Sequence, residues 1–449
     1  MQYFPITDKD QKEMMEAIGI SSMEALFNVI PGEYRLKNLL NLPDALSELE
    51  LSQHIEKIAS LNLNESTSTS FIGEISYRHY IPAIVRSLAF LPQFYTAYTP
   101  YQPEVSQGTL QSIYEFQSLM TNLTGMDLTN ASMYDGASAA AEAMIMICQH
   151  KKKSKVLMSS LIHPAVSSVL KAYALNKDIE IITISSDEGS LSLQELKEYA
   201  KDDVALVIFQ TPNVFGIIED VQPIAEIASL QNIALCAVIL EPLSLGILKP
   251  PGLYGVDVTV GEAQSFGIPA SCGGPGVGFF SCKKEYIRKI PGRIVGKTTD
   301  DEGRTAFVMT LRAREQDIRR EKATSNICTN HALCALQATI YLSALGEQGL
   351  RILAEQNILK SHIAMEALQD VPGITIPYKK PFFNEFLVQL SKPTDYVRKA
   401  LQDKNILVSN SMLQSFYPYL HNPLIINLTE LNTQQDIDML TQTMKEVLS

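Results

Sequence analysis

The sequence predicts a large α/β domain on a parallel sheet, preceded by a helical arm and followed by a smaller α+β C-terminal domain. Three observations predict it. Strand-like runs "KVLMSS" (155–160), "IEIITIS" (179–185), "VALVIFQ" (204–210) and "IALCAVIL" (233–240) recur along the middle of the chain. Helical stretches at 164–176, 192–201 and 221–231 separate them. The runs are apolar on both faces rather than alternating, as strands covered by helices on both sides must be. Such units wind into a doubly wound sheet with right-handed crossovers.

The arm covers residues 1–65. "TDKDQKEMMEAIG" opens on Thr7, carries Asp10 three residues on and stops at Gly19, the pattern of a capped helix. "SSMEALFNVIPG" repeats it, with Ser21 and Glu24 as a capping box and Pro31-Gly32 as the stop. The large domain is expected over 66–324 and the smaller one over 325–449. In the latter, "NHALCALQATIYLSALG" reads as a helix ending at Gly346, followed by a helix over about 350–369, a strand at 384–390, the helix "TDYVRKALQDKN" and a terminal helix at 433–448.

At roughly 150 residues per domain, 449 residues fit two to three domains. With 37 basic and 49 acidic residues the formal charge is −12, which argues against a nucleic-acid or anionic-membrane binder. Cys148, Cys236, Cys272, Cys282, Cys328 and Cys334 contain no C-x-x-C pair, and several sit in apolar runs, so they read as buried reduced thiols. The first residues lack a basic stretch followed by an apolar one, so no signal peptide is expected. The longest apolar stretch, 233–248, is broken by Glu241 and Pro242 and is too short to span a bilayer. The expectation is a soluble cytoplasmic protein.

Four segments can carry chemistry. In "SCGGPGVGFF" (271–280), Gly273, Gly274, Gly276 and Gly278 either cradle an anion with backbone N–H groups or form a tight turn between strands. The cluster enters a strand, so it is no dinucleotide fingerprint. "YTPYQPEVSQG" (98–108), with Tyr101, Gln102, Glu104 and Gln107, precedes a helix and is either a ligand-facing loop or an interdomain connection. "LRAREQDIRREKATSNICTN" (311–330) is a solvated helix face laced with ion pairs, or a basic segment whose Ser325, Asn326 and Thr329 reach a phosphate. His163, before Pro164, follows a parallel strand where such sheets bind ligands, or simply starts a helix. The run Lys151-Lys152-Lys153 reads as a solvated helix C-terminus. No histidine pair has metal-ligand spacing, so no metal site is predicted.

Taken together and in this order, the segments resemble one family. "SFIGEISYRHYIP" (70–82), "YTPYQPEVSQGTLQSIYEFQSLMTNLTG" (98–125), "NASMYDGASAAAEAM" (130–144), "GIPASCGGPGVG" (267–278) and "REQDIRREKATSNICTN" (314–330) look like signature blocks of the glycine decarboxylase P-protein of the glycine cleavage system. The length fits the form in which that protein is split into two homologous subunits. The resemblance implies the aspartate aminotransferase-type fold (fold type I) of pyridoxal-phosphate (PLP) enzymes.

It also exposes two departures. The family's catalytic subunits carry the Schiff-base lysine just before "TFCIPHGGGGPG"; the matching stretch here is "EAQSFGIPASCGGPG", which puts Gln264 at that position. No lysine lies between Lys249 and Lys283. The strand-end aspartate that faces the pyridine nitrogen falls on Ala237 or Val238, in "CAVILEP". The resemblance therefore implies the alpha chain, a non-catalytic half with no catalytic residue of its own. A homologous beta subunit would hold the PLP in a heterodimer or a heterotetramer of two such pairs. Together they would decarboxylate glycine and pass the aminomethyl group to the oxidised lipoyl arm of the H-protein. Tyr101, Gln102, Glu104, Gln107, Ser325, Asn326 and Thr329 would reach across to the partner's site, and His163, Gln264, Gly273, Gly274 and Gly276 would be vestiges of an ancestral one. Two other readings stay open: a self-sufficient PLP enzyme with a displaced lysine, and a scaffold or regulatory pseudoenzyme of this fold.

Overall fold

The computed structural model describes residues 5–36, 38, 40–63, 67–271, 273–327, 330–410 and 413–449. They form two compact units, Met1–Leu63 and Asn64–Ser449.

In the first unit, helix α1 (Asp8–Ile18) has the Thr7/Asp10 capping box and ends at Gly19 with φ 76°. Helix α2 (Glu48–Ala59) is boxed in the same way by Ser47 and Glu50. Between them the chain departs from expectation. Residues Met23–Val29 form a 3-10 helix, and its cap, Ser22, makes no side-chain bond. Gly19 and Pro31 leave too few residues to repay α-helix nucleation, so the stretch tightens to i→i+3 bonding instead.

The second unit is built on a seven-stranded sheet. After β1 (Thr69–Phe71), helices α3 (Ala83–Ala89) and α4 (Gln107–Thr124) lead to β2 (Leu128–Thr129) and helix α5 (Gly136–Lys151). Then β3 (Lys155–Ser159), α6 (Pro164–Leu175), β4 (Glu180–Ile184), α7 (Leu193–Tyr199), β5 (Val204–Gln210), α8 (Val221–Leu230) and β6 (Ala234–Ile239) alternate as predicted. Strands β7 (Val258–Glu262) and β8 (Gly278–Cys282) complete the sheet, whose spatial order is β2-β8-β7-β6-β5-β3-β4. The pairs from β7 through β4 are parallel, and β8 runs antiparallel to β7 and β2. Apolar cores cover both faces: Leu157, Val207, Leu235 and Phe279 point into one, Val156, Ile208, Cys236 and Val260 into the other.

A hairpin, β9 (Ile294–Thr299) with β10 (Thr305–Thr310), follows. It is pinned to α4 by two glutamines. Gln107 and Gln117 each donate to a backbone carbonyl and accept from the same residue's N–H, on Phe307 and Val295 respectively, all at 2.9 Å.

The C-terminal part contains the sheet of β11 (Ile374–Thr375), β12 (Glu385–Leu390) and β14 (Pro423–Asn427), with α10 (Thr394–Gln402) and α11 (Gln434–Leu448). Strand β13 (Ile406–Val408) pairs in parallel with β1, so residues 69–71 are built into this layer. Helix α9 (Ala332–Gln369) is two helices meeting at Gly346, whose φ 62° and ψ −175° are not helical, so the helices expected on either side of that glycine are both present and joined across a kink. Cys148, Cys236 and Cys282 are buried free thiols and Cys334 is half-buried, while Cys272 and Cys328 lie outside the described residues.

The β6–β7 contact is tightest at Gly261, where a Cβ would meet the Ile239 carbonyl oxygen at 1.9 Å. Gly261→Ala is expected to cost about 3 kcal/mol or more. The check is the Tm of the full chain; an unchanged Tm would mean that the two strands can part there.

Candidate functional site

The C-terminal ends of the parallel strands bring the sequence's candidates together. Strand β3 pairs with both β4 and β5, so the crossover direction reverses there, the place where open α/β sheets bind ligands. His163 sits at that point. Its N–H donates to Gln210 Oε1 at 2.8 Å, and its Nδ1 accepts from the Ala165 N–H at 3.2 Å. Burial depresses the imidazole to about 4, so it is neutral near pH 7. It is at once strand-end and helix-start, as both sequence readings had it.

At the end of β7, with β6 and β5 between it and β3, a cleft of about 350 Å³ is lined by Tyr134, Asp135, Gly136, Glu262, Gln264, Gly273, Gly274, Gly276 and His331. The glycine cluster and Gln264 thus share one site. Gln264 is 7% exposed, and its carboxamide is committed at both ends. The Tyr77 N–H donates to Gln264 Oε1 at 3.0 Å, while Nε2 donates to the Tyr77 carbonyl at 3.1 Å and to the Ile268 carbonyl at 2.6 Å. An ammonium has no acceptor and cannot make this two-way bond.

Glu262 is a residue of this cleft that sequence reasoning missed. Its Oε2 accepts from the N–H of Gly136, the first residue of α5, at 3.0 Å, and its Oε1 from the Val277 N–H at 2.7 Å. A helix N-terminus is where this kind of fold holds an anion; here the chain's own carboxyl takes that N–H. Burial pushes Glu262 up to about 7 against the pull of these donors. A Cβ on Gly276 would meet Glu262 Oε1 at 2.8 Å, so that glycine makes room for the internal carboxyl. The signal in the sequence was an acidic residue at a strand end ahead of a glycine-rich loop.

PLP, which the fold family implies, does not fit the residues of this chain. Position 264 is a spent amide. Ala237 and Val238 are wholly buried and carry no charge for a pyridine nitrogen. Glu262 already uses the N–H at the start of α5. Lys283 is tied to the Gly255 carbonyl and Asp257, and no lysine lines the cleft. Among the described residues no group of three His, Cys, Asp or Glu side chains can hold a metal ion, and no helix is long and apolar enough to cross a membrane.

The stretch clamped by Gln264 carries a second missed cluster. His79, 7% exposed, has Nε2 at 3.1 Å from Glu241 Oε2 and Nδ1 at 2.9 Å from Glu430 Oε2. Burial alone would lower the imidazole, but the two carboxylates overcome it and raise His79 to about 10. Burial would raise Glu430, but the bond and charge of His79, with the bonds from the Tyr80 N–H and Asn357, together outweigh it and hold it at about 2. Ser265 also donates to Glu241 and Asn357 to Glu430, both at 3.0 Å. Tyr77 OH donates to Glu385 at 2.9 Å, where burial lifts the carboxyl to about 8.

The remaining candidates lie elsewhere. Tyr101, 40% exposed, accepts from Arg293 Nη2 at 3.2 Å and stacks under Arg293 and Arg312. Gln102 and Glu104 are exposed, and Gln107 is spent on the hairpin. Ser325 and Asn326 line a separate cleft against α5, and Thr329 lies outside the described residues. The 311–322 stretch is not the solvated helix that its charge spacing allowed. It breaks into short turns because Arg314 is drawn inside, bonding the carbonyls of Ile290, Gly292 and Leu311. A guanidinium with five donors satisfies three carbonyls at once.

A family model described as "Glycine cleavage system P-protein" matches residues 1–444. The chain belongs to that family. A relative from Anoxybacillus flavithermus, named "Probable glycine dehydrogenase (decarboxylating) subunit 1", is 46% identical over 98% of both chains. A crystal structure of glycine decarboxylase (P-protein) of the glycine cleavage system, in inhibitor-bound form, superposes with TM-score 0.91 at 40% identity over 100% of both chains. A Burkholderia pseudomallei sphingosine-1-phosphate lyase shares the fold alone, with TM-score 0.66 at 11% identity over 93% of this chain and 94% of that one. The fold is the fold type I architecture that the sequence resemblance implied.

The His79 cluster has a defined pH window. The raised imidazole stabilises fully below its ordinary 6.5 and loses that contribution as pH climbs toward about 10. The lowered Glu430 stabilises fully above its ordinary 4.5 and loses it as pH falls toward about 2. His79→Gln is expected to cost about 3 kcal/mol between those two ordinary values, because it strands two buried carboxylates. Tm measured against pH should show the deficit narrowing toward pH 10; a deficit of equal size at every pH would mean lost packing, not lost charge.

Proposed function

We propose that this chain is the non-catalytic subunit of a two-subunit glycine decarboxylase, working in the cytoplasm as a heterodimer or heterotetramer with a homologous subunit that carries the PLP. Together the two release the glycine carboxylate as carbon dioxide and hand the aminomethyl group to the lipoyl arm of the H-protein. The observation that carries the reading is Gln264: the strand-end position of the family's lysine holds an amide that is fully used inside the chain. The "subunit 1" in the relatives' names supports a second subunit. So does an exposed apolar face on residues 84–105, which includes Ile84, Leu88, Phe90, Leu91, Tyr95 and Tyr98. Side chains of that size left in water in one region mark a protein–protein contact. Tyr101, Ser325 and Asn326 are the residues of this chain that reach toward the partner's cofactor, and Gln107 holds the hairpin beside them.

In this chain's own site Glu262 and Gln264 spend their polar atoms on backbone groups, which leaves neither free to hold a cofactor.

The test is glycine–bicarbonate exchange. Each subunit alone is expected to be inactive and the pair, with H-protein, active. Exchange by this chain alone with PLP would overturn the reading in favour of a displaced lysine; activity of the second subunit without it would make this chain a scaffold. Within the pair, Tyr101→Ala and Asn326→Ala should each weaken PLP retention about tenfold, the loss of one charge-assisted contact. Equilibrium dialysis measures it, and unchanged retention would remove these residues from the partner's site.

A further inference from the structure

Helix α5 is buried along nearly its whole length, mostly through Ala, Met and Ile side chains. Glu142 breaks that pattern. It is 4% exposed, and among the described residues no hydrogen bond or ion pair of the structure ends on its carboxyl. Burying a carboxyl without a partner is costly, so one left in that state calls for a group to pair with it. Glu142 forms part of the wall of a cleft of about 610 Å³. Gln149, two turns further along α5, lines the same cleft.

Three further charged groups line that cleft: Lys177, just past the end of α6, and Arg320 and Glu321 from the turns opposite. All three are exposed, and among the described residues none of them forms an ion pair. Two carboxylates and two cations make the lining neutral overall, with one negative charge buried and the cations at the rim. A bare cation would suit Glu142 but be repelled by Lys177 and Arg320. A plain anion would suit those two but be repelled by Glu142. A ligand that is neutral overall and carries both charges satisfies all of them. Its two charged groups can also bridge protein charges that lie too far apart to pair directly.

We propose that this cleft binds a free α-amino acid, its ammonium against Glu142 and its carboxylate between Lys177 and Arg320. The remaining volume, with Gln149 and Asn176 on its wall, admits a polar side chain. Burial pushes Glu142 up to about 7, with Lys177 pulling the other way. An ammonium seated beside the carboxyl favours its charged form and offsets the desolvation. Every group in the site belongs to this chain, so the inference does not rest on the function proposed above.

Titration calorimetry of the full chain, without PLP and without a partner, tests the site with glycine, L-serine and L-glutamine. At least one should bind with a Kd of about 1 mM or tighter. The N-acetylated form of that amino acid lacks the ammonium, and its carboxamide form lacks the carboxylate. Each should bind about tenfold more weakly, the loss of one charge-assisted contact. E142Q keeps the shape of the side chain and removes its charge, so N-acetylation should cost no further affinity there. In K177M, amidation of the carboxylate should cost less than in the native chain. No binding of any of the three up to about 10 mM would overturn the proposal. So would blocked forms that bind the native chain as well as the free amino acid, a comparison that stands even if E142Q fails to fold. Native affinity in both variants would place the amino acid elsewhere on the chain and overturn the assignment of this cleft.

Discussion

One carboxamide organises the candidate site. Gln264 stands at the end of a central parallel strand and bonds both the N–H and the carbonyl of Tyr77. That joins the stretch 70–82 to the sheet. From the same stretch His79 enters between Glu241 and Glu430, and Tyr77 OH reaches Glu385. Each neutral bond adds only about 1 kcal/mol, but the ionic cluster beyond them is buried, so losing the clamp exposes groups that are costly to strand. The end of this strand thus anchors the 70–82 stretch of the chain itself.

The same substitution of internal for external groups occurs at the start of α5. A phosphate and a carboxylate make similar demands on a helix N-terminus, and Glu262 meets them from within. Glu262 thus has a structural duty, accepting from the first N–H of that helix. The sheet's architecture depends on its apolar strands and makes no demand on the residue at position 264.

Legibility in the sequence followed the range of the forces involved. The strands at 155–160, 204–210 and 233–240 were readable within a residue or two because double-sided burial leaves a continuous apolar run. The Thr7 cap and the Gly19 stop were readable because capping is local. The capping box at Ser21 was equally well spelled and did not form, since the segment is too short for its neighbours to reward it. Position 264 was singled out by resemblance, but what its amide bonds to was not legible. Tyr77 lies 187 residues away, and no local pattern announces such a partner. Arg314 looked like a surface charge for the same reason: the carbonyls of Ile290 and Gly292 that draw it inside carry no side-chain signature.

Gln264 clamps the Tyr77 backbone at the wall of the cleft instead of serving a cofactor. The direct measurement is borohydride fixation of PLP on the full-length Gln264→Lys chain without its partner, with mass spectrometry of the peptide that carries residue 264 and a parallel Tm. No label at that lysine and a lowered Tm are expected, because Glu262 still occupies the start of α5 and the Tyr77 backbone has lost its amide partner. Stoichiometric label on residue 264 with an unchanged Tm would contradict it.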